Sequence, residues 1–204
     1  MIVDWEDSNK GKDGLTNGQR AYEKRLAQLQ ASKNAKDKAK GAALQQTYDR
    51  LQASKATFEV VKPDSSGSSR GDLEYDGNNH FTVNLKGDMT NAAGFTDNQK
   101  IAHEFEHGRQ VLDGELSYQN YTGTWQPWAH DRTDESNGFA AGFDIESASP
   151  GQGTFINSMQ QAIRFGGVAG GAIRLGMPDS PYKNLEQGPN NVDFKSPAIY
   201  SVPQ

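Results

Sequence analysis

The chain of 204 residues contains no cysteine. Disulfide bonds and thiolate nucleophiles are therefore excluded, and any zinc site must be built from histidine and carboxylate side chains. Long apolar runs are also missing. The most hydrophobic late stretch, residues 165–177, is broken by Arg174 and several glycines, and it is too short to cross a bilayer. We therefore expect a soluble chain without a membrane partner.

Positive charge is also scarce, with 21 Lys and Arg against 26 Asp and Glu and a formal net charge of −5. This balance gives no electrostatic reason to bind the phosphates of nucleic acid or an anionic lipid surface. The apolar fraction of 34% is low and there are 22 glycines, so polar connections should be long. A polypeptide or a small molecule is the expected partner.

The N-terminal part divides from the rest by composition. Residues 1–7 are acidic and lack the basic and apolar regions of a cleaved export signal, so export by the Sec route is not expected. Residues 17–54 are rich in Ala, Gln, Lys and Leu and predict two helices broken near Gly41. We therefore expect a helical arm over residues 1–56 that packs on, or leads into, the main domain over residues 57–204.

The main domain begins with strand patterns. Residues 57–62 predict one strand, and residues 73–75 and 80–85 predict a hairpin around the turn-forming cluster that starts at Asp76. Thr96 and Gln99 have the spacing of a capping box, which predicts a helix that ends near Gly114. Farther along, a helix over 155–165, a glycine-rich run and an irregular tail are expected.

Within the helix that follows Thr96 lies His103-Glu-Phe-Glu-His107. Positions i and i+4 project from one helix face, so both imidazoles can reach a single ion while Glu104 lies beside it. Zinc held by three protein ligands keeps a position for water, lowers the pKa of that water toward about 7 and polarises a carbonyl. The pattern predicts His103 and His107 as ligands and Glu104 as the base.

A third ligand must come from elsewhere, because Gln110 and Asp113 stand where a metzincin has Gly and its third His. The next helical pattern runs from 133 to 146, and Glu135 lies on the same face as Glu146. Small residues at 140–142 would allow a close helix approach. We predict Glu135 as the third ligand and Glu146 as a hydrogen-bond partner of a ligand histidine. The substitutes for Glu135 are Asp134, Asp131 and His130.

Four polar side chains between the two helices are candidates to stabilise the oxyanion, and the sequence does not rank them. They are Tyr118, Tyr121, His130 and Arg132. Trp125 and Trp128 line a substrate cleft or, as the favoured interpretation, anchor their loop on the core. His80 is interpreted as an ordinary strand residue.

Residues 101–110 and 134–142 together resemble the zincin domains of the gluzincin type. Within these, they are most similar to the effector-like metallopeptidases that form C-terminal domains of RHS-type polymorphic toxins. The resemblance covers about residues 57–147, and its specific part is the H-E-x-x-H pattern. It implies an α+β, zincin-like fold, in which a small antiparallel or mixed sheet accompanies the motif helix and a second helix carries the third ligand.

The same resemblance implies one zinc ion, secretion by a non-Sec route as a toxin or effector, and cleavage of a protein inside a target cell. An immunity protein would then be a further partner. Two alternatives stay open: a zinc amidase or peptidase that acts on cell-wall stem peptides, and a non-catalytic binding module with the zincin fold.

Overall fold

The computed structural model describes residues 3–6, 17–61, 72–85 and 95–147, and the fold of these residues is α+β, as predicted. The predicted helix 155–165 and the glycine-rich run lie outside the described residues. The elements in chain order are β1 Val3–Glu6, α1 Asn17–Gln30, α2 Ala35–Ala53, β2 Thr57–Val61, β3 Asp72–Tyr75, β4 His80–Asn84, α3 Asp97–Asp113, β5 Ser117–Tyr121, β6 Thr124–Trp128 and α4 Arg132–Ile145.

Four of the strands form a mixed sheet in the order β1-β2-β4-β3. Strands β1, β2 and β4 run parallel, and β3 pairs with β4 as the predicted antiparallel hairpin. In β2 and β4 every second side chain is buried, and Phe58 stacks on Phe81 with ring centroids 5.0 Å apart. The alternation places one face of this sheet against the helices.

The N-terminal part of the chain belongs to the same fold. Strand β1 was not predicted, yet it pairs with β2 along the whole of its length. One hydrophobic cluster extends from Tyr22 in α1 to Ile145 in α4. The boundary predicted at residue 56 therefore lies inside one continuous core, and the helices of the predicted arm form part of that core.

The break between α1 and α2 lies at residues 31–34, so the prediction of a break near Gly41 was wrong. Asn34 supplies the reason, because its side chain accepts a hydrogen bond from Lys36 N and caps α2. Gly41 is buried inside α2, and a Cβ there would lie 2.9 Å from Gln30 N. It serves the close approach of the two helices.

Helix α3 is the central helix, and its ends agree with the sequence. The Thr96 hydroxyl and the Gln99 side chain form the predicted capping box, and Gly114 closes the helix in the left-handed conformation with φ 79°. Phe105 lies on the inner face and packs against Tyr22 and Tyr48 at centroid distances of 5.5 and 5.8 Å. This packing fixes the rotation of α3 about its axis.

A short hairpin, β5–β6, joins α3 to α4 and was not predicted. Its tip carries Gly123 at φ 90°, a conformation that suits glycine. Trp125 packs on Tyr75 with centroids 4.9 Å apart, whereas Trp128 is exposed. The interpretation of a loop anchored by tryptophan therefore holds for Trp125 alone.

None of the helices in the described ranges has the length and apolar character needed to cross a membrane.

Candidate metal centre

Helix α3 presents two imidazoles at one point. His103 and His107 are one turn apart, their Nε2 atoms lie 2.9 Å from each other, and their ring planes are nearly perpendicular. Both residues are buried, with 3% and 5% of their surface exposed. The spacing predicted this convergence, and Phe105 lies on the opposite face of α3, where it packs against α1 and α2.

The third donor comes from the first turn of α4. Glu135 Oε2 lies 3.5 Å from His103 Nε2, and Glu135 Oε1 lies 3.6 Å from His107 Nε2. One ligand atom from each of the three residues falls within 4.8 Å of the others. The structure thus brings Glu135 to both imidazoles, as predicted. The predicted substitutes Asp131 and Asp134 instead form the capping box of α4.

This donor set fits a divalent cation. Glu135 Oε2 is buried and has no hydrogen-bond partner among the described residues. An unsatisfied buried oxygen is destabilising by about 1–3 kcal/mol, and this one lies 3.5 Å from His103 Nε2, while the other oxygen of the same carboxylate lies 3.6 Å from His107 Nε2. A cation between the three side chains would use the lone pairs of all of them. Two imidazoles with one carboxylate and no thiolate form a ligand set typical of zinc.

Glycines in α4 make the approach of the two helices possible. A Cβ at Gly138 would lie 2.9 Å from His103 Cε1, and one at Gly142 would lie 2.8 Å from Gln99 O. The His103 ring therefore lies directly on the α4 backbone, and Phe139 meets it edge-on at a centroid distance of 4.5 Å. Small residues at 140–142 were expected to allow a close approach, and Gly142 does so. The role of Gly138 was not foreseen.

Gln110 is a second residue that the sequence did not single out as part of the site. It is fully buried in the last turn of α3. Its Oε1 lies 2.7 Å from His107 Nδ1, and its Nε2 donates a hydrogen bond to Asp134 O in α4. The only available signal was a buried polar residue three positions after a ligand, on the same helix face.

Glu104 follows His103 directly in the sequence, and it is buried, with 2% of its surface exposed. Burial raises the pKa of its carboxyl well above the usual value, and the negative charges of Glu135 and Asp72 add to this effect. A raised pKa brings this carboxyl closer to the range in which a side chain can both take up and release a proton.

Two of the three candidate ligands, His107 and Glu135, are in the protonation state that a metal requires. Burial, with the neighbouring His103, lowers the pKa of His107 to about 3, so its ring is neutral. Burial alone would raise the pKa of Glu135. The imidazoles of His103 and His130 outweigh that effect and hold the pKa well below the usual range. The carboxylate is therefore ionised.

His130, a candidate for the oxyanion, also reaches the centre. Its Nε2 lies 2.8 Å from Glu135 Oε1, but the angles are not those of a hydrogen bond, and this nitrogen has no hydrogen-bond partner among the described residues. Its ring centroid is 5.4 Å from that of His107. Of the four residues proposed for the oxyanion, His130 is thus brought next to the ligand set.

The other three candidates have different surroundings. Tyr118 is buried and donates its hydroxyl to Leu73 O, and burial, with the charge of Glu104 nearby, raises its pKa. Tyr121 is exposed on β5, and its hydroxyl bonds Gln119. The side chain of Arg132 lies outside the described residues. Tyr118 therefore lies near Glu104, but its hydroxyl already donates a hydrogen bond to Leu73 O.

Glu146 does not reach a ligand imidazole. Its carboxylate accepts hydrogen bonds from Thr96 Oγ1 and Asn98 Nδ2, at the beginning of α3. The two helices run antiparallel, since Gln99 lies beside the end of α4 while Gln110 lies beside its start. A position 11 residues after Glu135 is about 16 Å farther along α4. The Glu146 carboxylate therefore binds side chains at the start of α3 and not a histidine of the candidate site, so the role predicted for it was wrong.

His80 is a strand residue, as interpreted from the sequence. Its two ring nitrogens lie 3.2 Å from Glu59 and 3.4 Å from Asp76, on β2 and in the β3–β4 turn.

Comparison with protein-family models, curated proteins and solved structures gives no match to the chain.

Proposed function

We propose that this chain is a zinc-dependent metallopeptidase with His103, His107 and Glu135 as ligands and Glu104 as the general base. The observation that carries the proposal is the convergence of three buried donor side chains within 4.8 Å; the glutamate of the motif is buried too, follows His103 directly in the sequence and interacts electrostatically with Glu135. Zinc in such a ligand set supplies a Lewis acid and a water of lowered pKa. The side chains of the protein hold the ion, transfer the proton and stabilise the developing negative charge.

Glu104 takes the proton of the attacking water and passes it to the leaving amine. A base suited to both transfers has a pKa near the working pH, and burial with neighbouring carboxylates moves Glu104 in that direction. His130 stabilises the negative charge that develops on the carbonyl oxygen. Burial works against the protonated form of this imidazole, but the carboxylates of Glu135 and Asp134 raise its pKa overall.

One observation favours a second candidate, a closed structural metal site. His130 Nε2 is 2.8 Å from Glu135 Oε1 without forming a hydrogen bond, so a shift of its ring toward the three donors that lie within 4.8 Å of one another would make His130 a fourth protein ligand. Four protein ligands characterise structural zinc, whereas a catalytic site keeps one position open. His130→Ala separates the two. A catalytic role leaves zinc affinity within a few-fold and lowers kcat, whereas a ligand role removes tight zinc binding.

For the substrate, we propose a protein of a target cell, as implied by the resemblance to RHS-type toxin domains, with cell-wall stem peptides as the alternative. The experiment incubates the zinc-loaded chain with unfolded proteins and, separately, with purified stem peptides. Glu104→Gln is compared with Glu106→Gln. Glu106 lies in the same motif but pairs with Arg109 on another side of α3, 2.9 Å away, so it serves as the matched control.

The expected result is hydrolysis of one substrate class by the wild type and by Glu106→Gln, and a loss of at least a hundredfold in Glu104→Gln. Zinc content should stay at one ion per chain in all three proteins. Full activity in Glu104→Gln would contradict the proposed mechanism. Zinc binding without hydrolysis of either class would favour the structural site or a binding module.

A further inference from the structure

The two histidine ligands are held in different ways. His107 Nδ1 faces Gln110 Oε1 at 2.7 Å, whereas His103 Nδ1 is buried and has no hydrogen-bond partner among the described residues. Packing between Gly138 and Phe139 holds the ring of His103 instead. One imidazole is therefore oriented by a hydrogen bond and the other by van der Waals contact.

The orientation of the Gln110 amide follows from its second partner. Asp134 O is a carbonyl oxygen and only accepts, so the group of Gln110 that faces it must be the NH₂. The atom facing His107 is then the amide oxygen, which also only accepts. His107 must therefore carry its proton on Nδ1 and its lone pair on Nε2, the atom that faces His103 and Glu135.

We propose that Gln110 is the positioning residue of the metal centre: it fixes the tautomer of His107 and ties this ligand to the α4 turn that carries Glu135. The inference rests on the proposed metal centre and not on peptide hydrolysis. Asp134 precedes Glu135 directly, so one buried side chain links a ligand of α3 to the backbone beside the ligand of α4. Partners of this kind orient metal-bound imidazoles and raise metal affinity.

A consequence for His103 follows. With the lone pair of His107 on Nε2, the 2.9 Å contact between the two Nε2 atoms requires the proton to be on His103 Nε2 in the metal-free protein. Binding of zinc through this nitrogen moves that proton to His103 Nδ1, with no net change in protonation. His107 keeps its proton on Nδ1 when zinc binds. The two rings should therefore respond differently to the metal.

The test uses the whole chain with ¹⁵N-labelled histidine, first without metal and then with one equivalent of zinc. Long-range ¹H–¹⁵N spectra distinguish the two tautomers of a ring. We expect His107 as the Nδ1–H form in both states, and His103 changing from Nε2–H to Nδ1–H. An Nε2–H form of His107 in the metal-free wild type would overturn the proposal.

Three variants measure the effect on zinc affinity by competition with a chromophoric chelator. Gln110→Leu removes the acceptor, and we expect binding weaker by about 10- to 100-fold. Gln110→Glu keeps an acceptor for His107 Nδ1 but loses the donor to Asp134 O, so we expect zinc binding weaker than in the wild type and tighter than in Gln110→Leu. Gln99→Leu is the matched control, because Gln99 is also buried in α3 and donates to the carbonyl of Glu146, the C-cap of α4, at 3.2 Å and away from the ligands.

Each outcome decides a separate question. Equal weakening by Gln110→Leu and Gln99→Leu would assign the effect to general helix packing and overturn the proposal. If Gln110→Leu does not fold, the tautomer of the wild type and the affinity of Gln110→Glu still decide. If the wild type binds no zinc, the proposed function fails, whereas the metal-free tautomer still shows whether Gln110 orients His107.

Discussion

Replacing Gly138 with alanine should damage the metal centre more than the fold. The added methyl would lie 2.9 Å from His103 Cε1 and 3.0 Å from both ring nitrogens. Carbon atoms pack at about 3.5 Å or more, so the ring has to move by about 0.6 Å. Ligand distances in metal sites tolerate only about 0.2 Å. We therefore expect zinc affinity to fall at least tenfold.

The stability of the metal-free protein should change much less. Overpacking costs about 1–3 kcal/mol, but alanine in place of glycine inside a helix returns about 1 kcal/mol. The net loss is then about 0–2 kcal/mol. A tenfold weaker affinity removes about 1.4 kcal/mol from the stabilisation that excess zinc provides. Urea unfolding with a chelator and with excess zinc separates these two quantities.

Gly108→Ala is the matched control. It is also a buried helical glycine, and its methyl would lie 2.9 Å from Phe58 Cε1 and 3.0 Å from Leu51 Cδ2, on the core side of α3. It should lower the stability of the metal-free protein by a similar amount and leave zinc affinity unchanged. Wild-type zinc affinity in Gly138→Ala, or an equal loss in Gly108→Ala, would refute the contact between Gly138 and His103 as the determinant.

Two further predictions follow from the ligand set and from a second buried carboxyl. Metal analysis should find no stoichiometric zinc in His103→Ala, His107→Ala or Glu135→Gln. The control variants His80→Ala and Glu146→Gln should keep one zinc ion per chain. One zinc ion per chain in a variant of the first group would refute the assignment of that residue as a ligand. Burial raises the pKa of Asp72 to about 6 from 3.8. The contribution of its protonated carboxyl to the free energy of unfolding is therefore complete below about pH 4 and is lost as the pH rises through 6. Asp72→Asn should therefore be more stable than the metal-free wild type at pH 7.5, by about 1 kcal/mol after solvent screening, as measured by urea unfolding; equal stabilities would contradict this.

The part of the site on α3 could be predicted because its determinants are local. The capping box at Thr96 and Gln99, the i, i+4 histidines and the closing Gly114 all depend on neighbours within one or two turns. Glu135 was found by helix periodicity combined with the need for a third donor. These features depend on the period of a helix, which the sequence carries directly.

Features that depend on contacts between distant segments were not predicted. β1 has four residues, and its partner β2 begins more than fifty residues later, so no local sequence pattern predicts that the two strands pair. Glu146 was predicted to reach a ligand histidine, but it follows the end of α4, and the antiparallel packing of the two helices places it at the start of α3. Gly138 and Gln110 have roles that exist only where α4 meets α3.

The way α3 and α4 are anchored determines what the metal adds. α3 is held in the core by Phe105 and its neighbours, and the end of α4 is held by Ile145, whose carbonyl accepts a hydrogen bond from Arg25 at 2.7 Å. None of these contacts involves a ligand. The metal-free chain should therefore be folded, unlike a zinc finger, whose folding energy comes from the metal. Zinc affinity then measures how well Gly138 and Gln110 position the donors, because the helices are already in place.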